Sequence, residues 1–164
     1  MMKILFVCLG NICRSCTAEE VMRTFVERHH LSHCVEVDSA GIADYHEGEL
    51  PDARMRSAAR SCGYELTHRS RPVSTADFDR FDILVAMDAF VENNLRKLAP
   101  KNGAEQKIVR MADYLSTPRP ERDIPDPYYG DADDFRLVVA LLEDACTHLL
   151  QQLLFNGECD KKSL

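Results

Sequence analysis

Two short apolar runs predict strands that are buried on both faces. The runs that begin after Lys3 and Asp82 are continuously apolar up to Cys8 and Met87, and both contain β-branched residues, as central strands of parallel sheets do. Residues 35–39 alternate between apolar and polar types, and residues 107–110 form a weaker candidate. The pattern therefore predicts four strands.

The segments between these runs carry apolar residues at helical spacing. Val21, Met22, Phe25 and Val26 recur every three or four positions and give the first helix one apolar face. Gly63 ends a second helical segment. The same spacing predicts helices over four segments: 15–30, 52–62, 88–98 and 133–155. Residues 116–131 contain four prolines and a glycine, which excludes regular structure over most of that segment.

Strands that alternate with helices predict an α/β chain, a three-layer doubly wound fold around a small four-stranded parallel sheet. Ligand sites in such folds lie outside the carboxyl ends of the strands, where the strand order reverses. The loop 8–14 leaves the carboxyl end of the first strand, so we expect the site there. Residues 1–157 are expected to form one domain and residues 158–164 a disordered tail.

Composition and charge limit the classes of partner. A formal net charge of -7 argues against nucleic acid, because backbone binding depends on Lys and Arg. The sequence shows neither a signal peptide nor an apolar stretch of membrane-spanning length. We therefore expect a cytoplasmic protein without a membrane partner, although export without a signal peptide stays open. Seven cysteines, an odd number, then predict mostly free thiols, with Cys34, Cys62 and Cys146 as buried ones.

The segment 8–15 has the spacing of a phosphate-binding loop, with Cys8, five residues, then Arg14 and Ser15. Five residues can wrap their N–H groups around one tetrahedral anion, while the following helix adds its positive N-terminal end. Gly10 and Asn11 tolerate the left-handed backbone that such a wrap requires. An arginine can hold two phosphate oxygens with its planar guanidinium group.

The same surroundings favour Cys8 as a nucleophilic thiolate, and the Ser15 hydroxyl can stabilise that sulfur. A Cys-x5-Arg pattern also occurs by chance, with Cys8 and Cys13 as core thiols and Arg14 on the surface. The preceding strand and the following helix favour the phosphate loop. A zinc site at Cys8, Cys13 and Cys16 is weakly supported, because the paired spacing of zinc ligands is absent.

A thiolate that displaces an oxygen from phosphorus needs a proton donor for that oxygen. Asp126 in the proline-rich segment is the best candidate, because Pro127 restricts its backbone to an extended conformation. Tyr128 and Tyr129 follow it and can stack on a flat phenyl ring. Three further aspartates are better explained as the start of a helix: Asp131, Asp133 and Asp134.

Several motifs together resemble the low-molecular-weight protein tyrosine phosphatases over nearly the whole chain. They are Cys-Leu-Gly-Asn-Ile-Cys-Arg-Ser at residues 8–15, Asp-Pro-Tyr-Tyr-Gly at 126–130, and, in the family's order, the segments 38–41, 68–71 and 87–88. The resemblance implies a hydrolase without metal or cofactor that acts on tyrosine-phosphorylated proteins. Its phosphocysteine intermediate would form on Cys8, with Arg14 as the phosphate clamp and Asp126 as general acid and base.

The resemblance also assigns roles around the loop. Asn11, Ser39 and His68 would form the hydrogen-bond network that locks the loop, and Tyr45 with Tyr128 would flank the substrate ring. From the residues alone, His68 would be placed on the surface. The predicted substrate-binding positions within the loop are Leu9, Gly10, Asn11, Ile12, Cys13 and Ser15.

Three loop positions bear on specificity and regulation. Cys16 stands where the family commonly has proline, which removes a helix-starting residue and adds a thiol. In bacterial relatives, a threonine at the position of Ile12 goes with phosphoarginine and an isoleucine with phosphotyrosine, so Ile12 favours phosphotyrosine. Cys13 resembles the family's second loop cysteine, which forms a reversible disulfide with the nucleophile.

Other functions remain open from the sequence. An arsenate reductase of the same fold would need resolving cysteines near residues 82–90, and none is present there. A phosphoarginine phosphatase is a second alternative. A silent phosphate-binding module is a third, although the thiol, the arginine and the acid are all retained. We expect a monomer or a weak homodimer.

Overall fold

The computed structural model describes residues 1–157 and contains one four-stranded sheet, as predicted. The strands are β1 (Met2–Cys8), β2 (Val35–Gly41), β3 (Ile83–Ala86) and β4 (Ile108–Arg110). All neighbours are parallel, in the order β2-β1-β3-β4. The chain passes from β1 to β2 at one edge of the sheet and then crosses to β3, on the other side of β1. The strand order therefore reverses at β1, and the loop after this strand lies at the switch point.

Alternate residues of β1 serve two separate cores, which makes the fold three-layered. Ile4 and Phe6 belong to one buried cluster, and Leu5 and Val7 to the other. All four side chains are fully buried, because successive side chains of a strand point to opposite faces. The α/β class and the doubly wound arrangement are thus confirmed.

The predicted helices are present with small shifts of their ends. They are α1 (Arg14–Arg28), α2 (Ala53–Ser61), α4 (Ala89–Leu98) and α5 (Ala132–Phe155), with a short unpredicted helix α3 (Asp77–Arg80) before β3. Asp52, Asp88 and Asp131 cap α2, α4 and α5, each accepting from a backbone amide of the first turn. Two 3-10 turns flank β4, at Ala104–Lys107 and Met111–Tyr114.

Helix α5 corrects the expectation that no stretch reaches membrane-spanning length. Among the described helices it alone is long and apolar enough, by length and composition, to cross a membrane. Nine of its residues are buried, and it contacts α1 and α2. This burial is typical of a core helix in a globular domain.

Two of the cysteine predictions were wrong. Cys62 is exposed at the end of α2 instead of being buried. Cys34 is buried as predicted, but it is disulfide-bonded instead of being a free thiol. Cys146 is a buried free thiol, as predicted. The predicted tail, residues 158–164, lies outside the described residues.

Candidate active site

The loop after β1 directs its carbonyl groups outward. Four of these carbonyls accept hydrogen bonds from surrounding groups, over 2.6–3.0 Å: Leu9 from the Ala43 amide, Gly10 from the Ser70 hydroxyl, Ile12 from the Asp52 amide and Cys13 from the Thr17 hydroxyl. No peptide bond among the described residues is cis, and in a trans peptide the N–H points opposite to the carbonyl. The N–H groups of the loop therefore face its interior, as an oxyanion nest requires.

The sulfur of Cys8 lies at the base of this loop and is almost fully buried. The Ser15 hydroxyl is 3.0 Å from Sγ, and the Asn11 amide donates to it over 3.2 Å. Helix α1 begins at Arg14, so its N-terminal end points at the same space. All three features stabilise negative charge on sulfur.

Asn11 connects the loop to the rest of the domain and has a left-handed backbone, with φ of 58°. Its Nδ2 donates to the Ser15 and Ser39 hydroxyls over 2.7 and 3.0 Å. Its Oδ1 accepts from the Arg71 amide over 3.1 Å and lies 3.0 Å from His68 Nε2. The side chain is completely buried with every polar atom bonded, which holds the loop in one conformation.

His68 lies between two acceptors. Since the Arg71 amide is a donor, Asn11 Oδ1 must face it, and His68 Nε2 must then donate to that oxygen. Nδ1 lies 3.1 Å from Glu19 Oε2. Burial alone would raise the pKa of Glu19, but the bonds from His68 and Ser39 and the charge of Arg23 hold that pKa below its usual value. Both ring nitrogens of His68 therefore face acceptors, which holds the ring between Asn11 and Glu19 beneath the loop.

Two glycines permit close approaches around the loop. A Cβ on Gly41 would come within 3.0 Å of the Leu9 carbonyl and 3.1 Å of the Asn11 amide. A Cβ on Gly10 would meet the His46 ring at 3.0 Å. Gly10 does not have a positive φ, so the prediction of a left-handed conformation was right for Asn11 and wrong for Gly10.

Arg14 is held in place before any ligand arrives. It is 2% exposed, and Nη1 donates to Asp88 Oδ2 over 2.6 Å and to the Ile124 carbonyl over 3.0 Å. Burial lowers the pKa of Arg14, but the charges of Cys8, Asp88 and Asp126 outweigh that effect and raise it. The guanidinium group is therefore a fixed cation beside the loop.

Asp126 lies at the rim of the same cavity. Its Oδ2 is 3.6 Å from Arg14 Nη2, and its side chain is 43% exposed. The cavity has a volume of about 370 Å³ and contains the loop at its base. Ile12 and Cys13 also line it, while Ser15, Ser39 and His68 lie behind the loop and do not. The aromatic side chains at its entrance are Tyr45, His46, Tyr128 and Tyr129.

Comparison with known proteins decides the family. The model of the low molecular weight phosphotyrosine protein phosphatases matches residues 3–158, nearly the whole chain. The chain belongs to this family.

Relatives of this phosphatase family come from bacteria and eukaryotes. The low molecular weight protein-tyrosine-phosphatase of Streptomyces coelicolor is 42% identical over 150 residues, covering 90% of this chain and 91% of the relative. The human low molecular weight phosphotyrosine protein phosphatase is 36% identical over 151 residues, covering 91% and 94%. A crystal structure of a protein tyrosine phosphatase from Entamoeba histolytica, with Hepes in the active site, has a TM-score of 0.91 and 44% identity, and the match covers 96% of this chain and 99% of that one.

Several residues of this phosphatase site were missed in the sequence. Asp88 was predicted as a helix start and as part of the motif at 87–88, but without a role in the site, yet its carboxylate both caps α4 and holds Arg14. Glu19 lies beyond the first turn of α1 and is buried against Ser39 and His68. His46 lines the cavity, with Nδ1 2.7 Å from Glu49. The sequence offered one signal for these residues, namely the acidic Glu19 on the side of α1 that is buried.

Glu19, Asp38 and His68 lie close enough together for a metal site, with one ligand atom of each within 4.8 Å of the others. Their atoms already bond to protein groups: Glu19 to Ser39 and His68, and Asp38 to Arg71 and the Ser39 amide. This cluster supports the loop of the phosphatase. The absence of a metal requirement stays a prediction.

Proposed function

We propose that this protein hydrolyses phosphotyrosine in proteins, and small aryl phosphates, through a phosphocysteine intermediate on Cys8. One observation carries the proposal. Cys8, Arg14 and Asp126 line a single cavity, with the nucleophile at its base and the acid at its rim. Residues 1–157 would act as one catalytic domain.

In the first step the Cys8 thiolate attacks phosphorus in line, and the P–O bond to the tyrosyl oxygen breaks. Arg14 and the inward N–H groups hold the three equatorial oxygens, which carry the spreading charge. Asp126 gives its proton to the leaving oxygen. Its place beside Arg14 at the rim supports this role.

In the second step water attacks the phosphocysteine and releases phosphate. The Asp126 carboxylate, left by the first step, takes a proton from that water. The sulfur then leaves as a thiolate, and the Ser15 hydroxyl, 3.0 Å away, stabilises it.

The entrance of the cavity supports an aromatic substrate. Tyr45 and Tyr128 are 63% and 37% exposed, so their rings are available to flank a phenyl ring. Ile12 presents an apolar side chain to the same cavity, which favours phosphotyrosine over phosphoarginine. Turnover of phosphoarginine above that of phosphotyrosine would overturn this preference.

A chromogenic assay with p-nitrophenyl phosphate tests the function. Wild-type protein should release phosphate without added metal, and Cys8→Ser should lose all measurable turnover. Cys62→Ser is the matched control, because Cys62 is an exposed free thiol at the end of α2, outside the cavity. Undiminished activity of Cys8→Ser would exclude the mechanism.

Arsenate reduction is the alternative that the same fold allows. The family match and the named relatives are phosphatases, which favours hydrolysis. A reductase also needs a relay of thiols toward the surface, whereas Cys13 and Cys16 are buried. Thiol-dependent arsenate reduction by the purified protein would revive the alternative.

We also propose a redox regulation, a cytoplasmic location and an oligomeric state for this protein. Cys13 would form a disulfide with oxidised Cys8 and so protect it from further oxidation. Within residues 1–157, five cysteines are free thiols, which supports a location in the reducing cytoplasm, although Cys34 is disulfide-bonded. We expect a monomer or weak homodimer, which sedimentation measurements test.

A further inference from the structure

The segment that carries Asp126 lacks regular structure and is held to the domain by individual side chains and backbone groups. Residues 116–131 contain neither helix nor strand. The Ile124 amide donates to the Met87 carbonyl over 2.8 Å, and the Ile124 side chain is fully buried. From Pro125 to Gly130 only Pro127 is buried, and Asp126 itself is exposed. The direction of Asp126 therefore depends on how the chain is held at Asp123 and Ile124 before it and at the buried Pro127 after it.

Arg110, the last residue of β4, holds those residues. Its side chain is 10% exposed. Nη1 donates to Asp123 Oδ1 over 3.1 Å and to the Arg122 carbonyl over 3.0 Å. Asp123 Oδ1 also accepts from the Ala89 amide over 3.1 Å, at the start of α4. One guanidinium group thus ties the acid loop (residues 116–131) to both β4 and α4.

The other edge of Arg110 is fixed by Glu92. Nε donates to Glu92 Oε2 over 2.6 Å, and Nη2 pairs with the same carboxylate. Burial would raise the pKa of Glu92, but its bonds to Arg96 and Arg110 hold that pKa below the usual value. A planar fork can bond in two directions at once, which a lysine cannot do.

Helix α4 connects Arg110 to the phosphate clamp. Asp88 and Glu92 are four residues apart, so they lie on the same side of the helix start. Asp88 bonds Arg14, and Glu92 bonds Arg110. Arg14 also donates to the Ile124 carbonyl. The clamp and the acid loop are therefore positioned by one shared set of bonds.

The short segment from Asp123 to Asp126 can transmit this position. Pro125 and Pro127 fix φ on both sides of Asp126, and each proline also restricts the residue before it to extended conformations. Because the segment from Asp123 to Asp126 is stiff, a rotation of the backbone at Asp123 changes the position of the Asp126 carboxylate.

We propose that Arg110 is a positioning residue for the general acid, acting through Asp123 and the Arg122 carbonyl. This inference rests on the proposed function of Asp126. Loss of Arg110 should leave the thiolate and the loop intact but misplace the Asp126 proton donor. The defect should then grow as the leaving group becomes poorer, because only poor leaving groups need the proton.

The test compares kcat/KM for a series of aryl phosphates, from p-nitrophenyl to phenyl, in Arg110→Gln, Arg110→Lys and wild type. We expect phenyl phosphate to lose roughly tenfold more than p-nitrophenyl phosphate in both variants. Arg96→Gln is the matched control, because Arg96 bonds the same Glu92 over 2.9 Å. Within residues 1–157, the side-chain bonds of Arg96 go to Glu92 and do not reach the acid loop. It should keep the wild-type dependence on leaving group.

A second variant covers the case in which Arg110→Gln does not fold. Asp123→Asn weakens the bond between Arg110 Nη1 and Asp123 Oδ1. The Asp123 side chain is 34% exposed, so this substitution disturbs the fold less than a change at the buried Arg110. Like the Arg110 variants, it should lose more kcat/KM for phenyl phosphate than for p-nitrophenyl phosphate. Equal losses for all substrates in the folded Arg110 and Asp123 variants would overturn the proposal.

Asp126→Asn separates this inference from the proposed function. If Asp126→Asn steepens the dependence on leaving group while the Arg110 and Asp123 variants do not, Arg110 has no positioning role and the function stands. If Asp126→Asn leaves the dependence unchanged, the acid assignment fails and the role of Arg110 fails with it.

Discussion

Asp126 Oδ2 lies 3.6 Å from Arg14 Nη2, so the candidate proton donor and the phosphate clamp meet at one side of the cavity. Arg14 is buried and fixed by Asp88, whereas Asp126 is half-exposed at the end of a proline-rich segment. The clamp is thus preorganised, and the acid can reach a leaving oxygen that arrives from solvent. This pair motivates the first prediction.

Asp126→Asn should reduce kcat/KM for phenyl phosphate by about 10²–10³-fold, because general acid catalysis contributes on that order. The loss for p-nitrophenyl phosphate should be smaller, since its leaving group needs little protonation. Steady-state kinetics over the aryl series measures both. The same loss for every substrate would argue against proton donation by Asp126.

Replacement of Asn11 should separate the contribution of its left-handed backbone from that of its side-chain hydrogen bonds. Asn11→Gly keeps a residue that tolerates φ of 58° but removes the bonds to Ser15, Ser39, His68 and the Arg71 amide. Asn11→Ala removes the same bonds and adds backbone strain of about 1–2 kcal/mol. Vanadate inhibition should weaken at least roughly tenfold in the glycine variant, because four bonds of a buried side chain are lost and each contributes about 1 kcal/mol. It should weaken further in the alanine variant.

Unchanged vanadate affinity in both Asn11 variants would mean that the loop keeps its shape without this network. Thermal unfolding of the two proteins serves as the control for overall folding. A lower melting temperature with normal vanadate binding would assign Asn11 to stability alone.

Glu19 should make stability depend on pH in the acid range. Its pKa in the folded protein is held below the usual 4.5, so its contribution is present above about 4.5 and is lost as pH falls through the folded pKa. Glu19→Gln should cost on the order of 2–3 kcal/mol near neutral pH, because His68 loses its buried partner. Urea unfolding at several pH values should show this difference shrinking below about pH 4.5.

Glu20→Gln is the control on the same helix. Burial raises the pKa of Glu20 in spite of the Arg23 charge, so its contribution has the opposite sign and is lost as pH rises through the folded pKa. Identical pH dependence for the two variants would contradict the lowered pKa of Glu19 and its bonds to His68 and Ser39 as the cause.

Much of this site could be predicted from local sequence, and the reason is geometric. Cys8, Arg14 and Ser15 lie within eight residues between a strand and a helix, so their spacing alone indicates where they meet. Asp126 needed a chemical argument, because a distant acid had to be selected by its neighbouring prolines.

Contacts between distant segments could not be predicted in the same way. The bond between Asp88 and Arg14 joins residues 74 positions apart, and no local pattern encodes it. His68 lies in a segment without helix or strand, so it resembled a surface residue until the resemblance assigned it a role. The exposure of Cys62 depends on which face of α2 is buried. The sequence pattern of a helix of only nine residues does not determine that face.

Cys13 should protect the nucleophile against oxidation. Peroxide converts the Cys8 thiolate to a sulfenic acid and releases water or an alcohol; the Cys13 thiol then condenses with it, releasing water and forming a disulfide. Burial raises the pKa of the Cys13 thiol, and the nearby Cys8 adds to the effect, so Cys13 rests as a neutral thiol. Wild-type activity should return after treatment with dithiothreitol, whereas Cys13→Ser should stay inactive.

Cys16→Ala is the matched control for Cys13→Ser, because Cys16 is also buried beside the loop. Its recovery should equal that of wild type. If Cys16→Ala were the variant that loses recovery, the protecting thiol would be Cys16 and the assignment of Cys13 would be wrong.

The most direct measurement is the capture of the covalent intermediate. Protein mixed with an aryl phosphate and quenched in acid within milliseconds should carry one phosphoryl group, and peptide mass spectrometry should place it on Cys8. Cys8→Ser should carry none under the same conditions. A phosphoryl group on another residue, or turnover without any labelled protein, would contradict nucleophilic attack by Cys8.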